Sequence, residues 1–375
     1  MSISRLRLRL LLVGVLAALA IAGTVVAVAG QGTERTTFRP AASGEPLVIA
    51  HRGASGYRPE HTLAAYELGA RMGADYVEPD LVSTKDGVLV ARHENEISAT
   101  TDVANRPEFA ARRTTKVVDG LTLTGWFTED FTLRELRTLR AKERIPGLRQ
   151  RNTIYDGRYR IPTFTEIIKL TRRLSRELRR EIGIYPETKH PGYFRSLGLP
   201  LERPLVRTLR RFGLDRRRSK VFVQSFETRN LRALNRTVKT RLVQLLGGPG
   251  LRPDDTTGSG QGPTYAELAT RAGLERVARY ADGVGPSTDY IVPRDASGNS
   301  LPPTSFVSDA HAAGLVVHPY TFRNENAFLP LELRSGPDPA AYGNALAQYE
   351  QFYALGVDGV FSDNPDTAAE ARSSR

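Results

Sequence analysis

The stretch LVIAHRGASGYRPEHTLAAYELGARMGADYVEPDLVSTKDGVLVARHEN, residues 47–95, decides how the rest of the 375-residue chain reads. It opens with an apolar run at 47–51, passes a helical pattern near 62–72 and reaches a second apolar run at 76–81. Strands that alternate with helices build βαβ units and a parallel sheet. Glu78 and Asp80 stand two residues apart on the second run, and alternate strand residues point to one face, so both carboxylates share a face. Charges pressed unpaired against helices are very costly. The mouth of a closed sheet is the place for them, and two like charges there ask for a cation. The run at 88–93 follows too closely for a crossover helix, because a parallel connection needs a dozen or more residues. It must turn back, and Asp86-Gly87 is a two-residue hairpin signal. Centring the hairpin there pairs Lys85 with Val88 and Asp80 with His93; a one-residue bulge would break that register. Pro79, between the two acids, cannot donate to a sheet ladder and marks an irregular strand.

Outward from this stretch the alternation continues. Helical patterns near 163–180, 201–212, 227–237, 264–281, 303–313 and 344–355 separate apolar runs at 182–189, 221–226, 241–246, 282–286, 315–320 and 358–363. Eight runs separated by helices predict an α/β fold, a (β/α)8 TIM barrel with a β-hairpin excursion after strand two and its chemistry at the C-terminal strand ends. Thr163 and Glu166 form a capping-box pattern, and Phe164, Ile167, Ile168, Leu174 and Leu178 recur at helical spacing behind it. Residues 99–160, with the single Trp126 and a helix predicted at 132–141, form an insertion at the mouth that reads as a lid or binding surface. Residues 247–263 are rich in Gly, Pro and Asp and predict a loop.

The N-terminus bears on compartment. Arg5, Arg7 and Arg9 precede an uncharged apolar run at 10–30, which is the pattern of a signal peptide or a membrane anchor. Residues 1–30 are read as that segment, 31–46 as a linker and 47–375 as an extracytoplasmic catalytic barrel. The chain has no cysteine, which removes disulfides, thiolate metal sites and a lipoprotein anchor. The net charge of +12 comes largely from arginines between Arg134 and Lys220. These fit either solvated outer helix faces or attraction to an anionic surface such as phospholipid headgroups or a phosphate polymer of the cell wall. No nucleic-acid-binding motif accompanies them.

His51 and His93 each end a run at the predicted mouth, where a proton donor or acceptor would sit. Glu187, at the end of the next barrel strand, adds a third carboxylate. An all-oxygen trio suits a hard divalent ion, Ca²⁺ or Mg²⁺, better than zinc; the alternative is that these acids pair with Arg52 or Lys189 in a structural network. Arg52 is a candidate phosphate clamp, since a guanidinium holds two oxygens at once. His61 reads as a cap or packing residue beside Thr62, His311 as a structural helix residue, and His190 and His318 as residues able to line the pocket.

These motifs, HRGASGYRPEHT at 51–62, GADYVEPDLVSTKDG at 73–87, RHE at 92–94, YPETK at 185–189, HPYT at 318–321 and GVDGVFSDNP at 356–365, together resemble the exported bacterial glycerophosphodiester phosphodiesterases. The resemblance implies a (β/α)8 barrel, His51 and His93 as acid/base residues, and Glu78, Asp80 and Glu187 as ligands of a divalent metal, Ca²⁺ first and Mg²⁺ as the alternative. It further implies that Arg52 and Lys189 contact phosphate and that Phe226 and Tyr320 line the pocket. The chain departs from the family pattern in carrying Glu94 directly after His93, where Asp is usual, and Pro79 between the paired acids. The implied reaction is hydrolysis of a small glycerophosphodiester to glycerol 3-phosphate and an alcohol. A phosphoinositide- or sphingomyelin-type phosphodiesterase and a non-catalytic exported binding protein are the alternatives.

Overall fold

The computed structural model describes residues 44–253 and 262–374. The predicted signal or anchor at 1–30 and most of the linker at 31–46 lie outside the described residues, as does half of the loop predicted at 247–263. The chain begins with β1 (Leu47–His51), α1 (Leu63–Arg71), β2 (Tyr76–Glu78), β3 (Asp80–Ser83) and β4 (Leu89–Ala91). The insertion follows, with β5 (Thr114–Val118), β6 (Leu121–Gly125) and the short α2 (Leu133–Leu136). Next come α3 (Phe164–Glu177), β7 (Gly183–Ile184), β8 (Glu187–Thr188), α4 (Pro191–Ser196), α5 (Glu202–Arg211), β9 (Phe222–Ser225), α6 (Thr228–Asn235) and β10 (Arg241–Leu246). The chain ends with α7 (Tyr265–Ala269), α8 (Arg271–Val277), β11 (Gly283–Pro286), α9 (Phe306–Ala312), β12 (Val316–Val317), α10 (Ala345–Ala354), β13 (Gly359–Ser362) and α11 (Pro365–Ser373).

The long strands pair in parallel in the order β13-β1-β2-β7 and β12-β11-β10-β9-β8-β3. The two ladders exist because prolines break two strands. Pro79 separates β2 from β3, and Pro186 separates β7 from β8; the first half of each pairs in one ladder and the second half in the other. The breaks keep their main-chain bonds on the carbonyl side, Glu187 N donating to Pro79 O at 2.9 Å and Gln224 N to Pro186 O at 2.9 Å. Ile184 bridges Val221, and beyond β12 Asp358 N donates to Val317 O and Phe361 N to Pro319 O, at 2.9 and 3.0 Å. The parallel links thus run from strand to strand in a full circuit.

β4 returns antiparallel to β3, as the lack of room for a crossover required, but one residue out of the predicted register. Leu81 faces Ala91 and Arg92 N donates to Asp80 O, so Arg92 and not His93 stands opposite Asp80. The cause is the turn. Thr84 N donates to Val88 O across a three-residue loop, with Gly87 left-handed at φ 75°, which is the bulged alternative to a two-residue hairpin. The two-residue form occurs instead at Asp119-Gly120, φ 48° and 80°, between β5 and β6, where Val118 faces Leu121.

Inside the circuit Ile49, Tyr76, Tyr185, Phe222, Val243 and Phe361 form a small buried core. Tyr185 stacks on Phe222 with centroids 4.9 Å apart, and its hydroxyl meets His318 Nδ1 at 2.9 Å. His318 therefore belongs to this core and not to a pocket wall. A much larger core lies between strands and helices. On its outer side Arg173 pairs with Glu67 and Glu177 at 2.7 and 2.9 Å, which accords with the solvated-face reading of that arginine, and Arg71 pairs with the same two acids at 2.7 and 2.9 Å. His311 pairs with Asp358 at 2.8 Å, as a structural helix residue does.

The helix predicted at 132–141 is cut to α2, because Asp102 N and Arg140 O, with Arg140 N and Asp102 Oδ1, pull residues after 137 into an extended contact. The helix predicted at 264–281 is split at Thr270, which is extended and caps α8. In α3 the capping box forms as read, with Thr163 Oγ1 accepting from Glu166 N and Glu166 Oε2 accepting from Thr163 N. Thr163→Ala is expected to cost about 1 kcal/mol of stability, measured as a shift in the urea midpoint at unchanged slope.

Candidate active site

β1 delivers His51 at its last residue, in register with Glu78 of β2. The chain then turns sharply through Arg52, which is left-handed at φ 60°. That turn aims the Arg52 main-chain N at Glu78 Oε2, 2.8 Å away, and its guanidinium at Glu60 (3.0 Å) and Asp80 (3.4 Å). Left-handed backbone in residues other than Gly, Asn or Asp costs free energy and clusters at functional sites. His61 and His190 share that conformation, at φ 56° and 50°.

Glu78, Asp80 and Glu187 are buried, and each offers an oxygen within 4.8 Å of the others. Burial, with the Asp80 charge alongside, pushes Glu78 well above the usual carboxyl range, and burial pushes Glu187 to about 8. Burial acts on Asp80 in the same sense but is outweighed by His61 and Arg52, which hold it well below its ordinary value. Crowding that raises two of three acids is what a cation relieves. Asp80 Oδ1 is buried without a hydrogen-bond partner, which leaves that oxygen available as a ligand. Residues, burial and donor type therefore fit a hard divalent cation. The structural-network alternative also finds its contacts, since Arg52 reaches Asp80 and Lys189 Nζ lies 3.3 Å from Glu187.

Both sequence-predicted histidines face one cavity of about 140 Å³, together with Arg52, Glu78, Glu187, Phe226 and Tyr320. The two aromatic rings meet edge-to-face at 6.0 Å, and Lys189 Nζ lies 5.5 Å from the Phe226 ring centre. Each histidine is braced by a carboxylate. His51 Nδ1 is 2.5 Å from Asp363 Oδ1, and His93 Nδ1 is 2.8 Å from Glu94 Oε1. Burial, with Arg52 beside both, lowers His51 to about 4 and His93 to about 3, so both rings are neutral at neutral pH.

The sequence reading missed several residues that hold this site. His61 is fully buried, with Nε2 3.0 Å from Asp80 Oδ2 and Nδ1 2.7 Å from the Tyr66 hydroxyl. It orients a candidate metal ligand, while Thr62 alone caps α1. Asp363 lies in the quoted motif at 356–365 but was given no role. It binds His51, Arg149 Nη2 at 2.6 Å and Arg323 Nε at 2.9 Å, and these arginines hold it ionised against its burial. Arg149 comes from the insertion, and nothing local in the sequence marks it. Glu94 does more than brace His93, since its other oxygen is 2.8 Å from His190 Nε2, whose Nδ1 contacts Asp119 of the β5–β6 turn. Burial would lower His190, but Asp119 and Glu94 raise it to about 9. The Asp119-Gly120 pair was a legible turn signal of the same kind as Asp86-Gly87.

An α/β protein that gathers a carboxylate trio, two carboxylate-braced histidines, an arginine and a lysine at the ends of its parallel strands has the parts of a phosphoric diester hydrolase. The model of the glycerophosphoryl diester phosphodiesterase family matches residues 51–367, and the chain belongs to that family, whose members act on glycerophosphodiesters. Among curated relatives, a glycerophosphodiester phosphodiesterase of Arabidopsis thaliana is 36% identical over 343 residues, covering 88% of this chain and 87% of the relative. One from Haemophilus influenzae is 29% identical, covering 87% and 89%. Among solved structures, an Oleispira antarctica phosphodiesterase in complex with the product sn-glycerol-3-phosphate superposes with a TM-score of 0.57 at 21% identity, covering 88% of this chain and 97% of that one. At that identity the likeness speaks for the fold.

Proposed function

We propose that the chain hydrolyses glycerophosphodiesters to glycerol 3-phosphate and an alcohol on a closed (β/α)8 barrel, with a divalent cation at Glu78, Asp80 and Glu187 and acid/base catalysis by His51 and His93. The observation that carries this reading is the convergence of the three acids within 4.8 Å of one another, two of them, Glu78 and Glu187, lining the cavity that both histidines face. A cation held there would supply positive charge to the phosphoryl and attacking oxygens, and Ca²⁺ is favoured over Mg²⁺ because it tolerates an all-oxygen set of irregular geometry, whereas Mg²⁺ demands a near-ideal octahedron. Arg52 and Lys189 place two further positive charges for the phosphate, whose developing negative charge they stabilise. One neutral histidine takes a proton from the attacking hydroxyl, of the neighbouring glycerol or of water. The other, charged once the bound phosphate anion offsets Arg52 and Lys189, donates to the departing alcohol oxygen. Asp363 and Glu94 hold the two rings in place for these transfers.

The test is to assay glycerol 3-phosphate release from a panel of glycerophosphodiesters, with and without chelator. Activity is expected to fall at least tenfold on chelation, the order by which a disturbed metal site loses activity, and to return with Ca²⁺. Chelator-insensitive turnover would remove the cation from the mechanism. The cyclic-product and non-catalytic alternatives are not favoured by the family match. Export from the cytoplasm, and association with a membrane or cell-wall surface, rest on the sequence at 1–30 and on the net charge alone.

A further inference from the structure

A second cavity, of about 540 Å³, opens beside the first and shares Glu187 and Phe226 with it. The small cavity is below the size that encloses a typical ligand, whereas the large one is within it. The small one therefore suits the phosphoglycerol half of a diester, and the other alcohol must extend into the large one.

The walls of the large cavity tell what that alcohol is. Its inner end carries polar groups that are already paired with one another: Glu94 and Asp119 with His190, Lys189 with Glu187, and Glu96 with the main-chain N of Ser98 and Trp126 at 2.9 and 3.2 Å. Thr188, Ser225, Glu227 and Arg252 also line it, but the larger share of the wall is apolar, formed by Val118, Leu121, Leu123, Phe226, Leu251 and Tyr265. Three of these come from one face of the β5–β6 hairpin, since Val118 pairs with Leu121 and Leu123 follows two residues on. Leu121 and Leu251, from two separate segments of the chain, both line the cavity and are 66% and 65% exposed. Large apolar side chains left open to water next to a reaction centre mark a surface that a ligand covers.

We infer that this trough is the subsite for the departing alcohol and that it selects a primary alcohol carrying an apolar chain over a small polar one. The inference rests on the hydrolase reading and narrows its substrate class. In the reaction the bond between phosphorus and the chain-bearing oxygen breaks. That oxygen gains a proton and leaves as the free alcohol in the trough, and water supplies the replacement oxygen and the proton on glycerol 3-phosphate.

The test uses the full chain and a series of glycerol 3-phosphate diesters of ethanol, butanol and octanol below their aggregation concentrations, with kcat/KM read as glycerol 3-phosphate release. The octanol diester is expected to exceed the ethanol diester by at least about tenfold, a discounted share of what six buried methylenes can contribute. Leu121→Asp is expected to cut that ratio at least about fivefold. Val117→Asp, on the opposite face of the same hairpin and 61% exposed, is expected to keep it and serves as the control for hairpin folding. A flat profile in the wild type with good turnover of the ethanol diester would overturn the trough and leave the hydrolase intact. A ratio that survives Leu121→Asp, or falls equally in Val117→Asp, would also overturn it. No turnover at any chain length would overturn the hydrolase reading and the trough together.

Discussion

His51→Ala and His93→Ala are each expected to lower kcat by roughly 10²- to 10⁴-fold, the contribution of a positioned general acid or base, while the metal content of the purified protein stays unchanged. The expectation follows from placement. Each ring faces the cavity shared with Glu78 and Glu187 and is fixed from behind by its own carboxylate. Asp363→Asn, which keeps the shape at His51 but weakens its partner, is expected to fall between the wild type and His51→Ala. The pH profile gives a second readout. Burial, with the Arg52 charge beside it, depresses His51 to about 4. The ring is therefore neutral from neutral pH down to that value, and with His51 as the group that takes the proton the acid limb of kcat/KM is expected near pH 4 rather than near the 6.5 of a free imidazole. Near-wild-type turnover in either alanine variant would take that histidine out of the reaction.

Arg149→Met is expected to destabilise the fold by about 3–5 kcal/mol, the cost of breaking a buried ion pair by removing one partner. Arg149 is 4% exposed at the side chain and ties the insertion to three distant parts of the chain: Glu325 through Nε at 2.6 Å, Asp363 through Nη2 at 2.6 Å, and the Ser55 carbonyl through Nη1 at 3.0 Å. Without it Glu325 loses its cation, and Asp363 keeps only Arg323 and His51. Urea denaturation followed by circular dichroism measures the loss. A change below about 1 kcal/mol, the ceiling usual for exposed pairs, would show that solvent reaches this cluster and that the insertion is not fastened here.

The same residue explains why the insertion was only half legible. Its length and its place after the hairpin marked residues 99–160 as more than an idle loop. The reading of a lid or binding surface did not foresee that Arg149 and Arg144 reach back to Asp363 and Glu60, the carboxylates that in turn hold His51 and Arg52. An arginine among many in a basic chain carries no local mark of its partner, and such pairings form only when segments far apart in sequence are folded together.

Taken alone, the sequence determined the alternation of strand and helix, the pairing of Glu78 with Asp80 on one face, and the antiparallel return after residue 83. These depend on side-chain period and connection length, which are local quantities. It also marked both histidines and the third acid as candidates, because they stand at strand ends in the motifs that carry the family resemblance. Only the tertiary structure decided the register of the hairpin, since a two-residue and a three-residue loop share the Asp-Gly signal and differ by the one residue that moves Arg92 opposite Asp80. It alone decided which histidine does what around the site: His61 on Asp80, His190 between Glu94 and Asp119, and His318 in the core against Tyr185. The physical reason is the same in each case. A buried polar group must find a partner, and that partner is chosen by proximity in the folded chain, which spacing along the sequence does not encode.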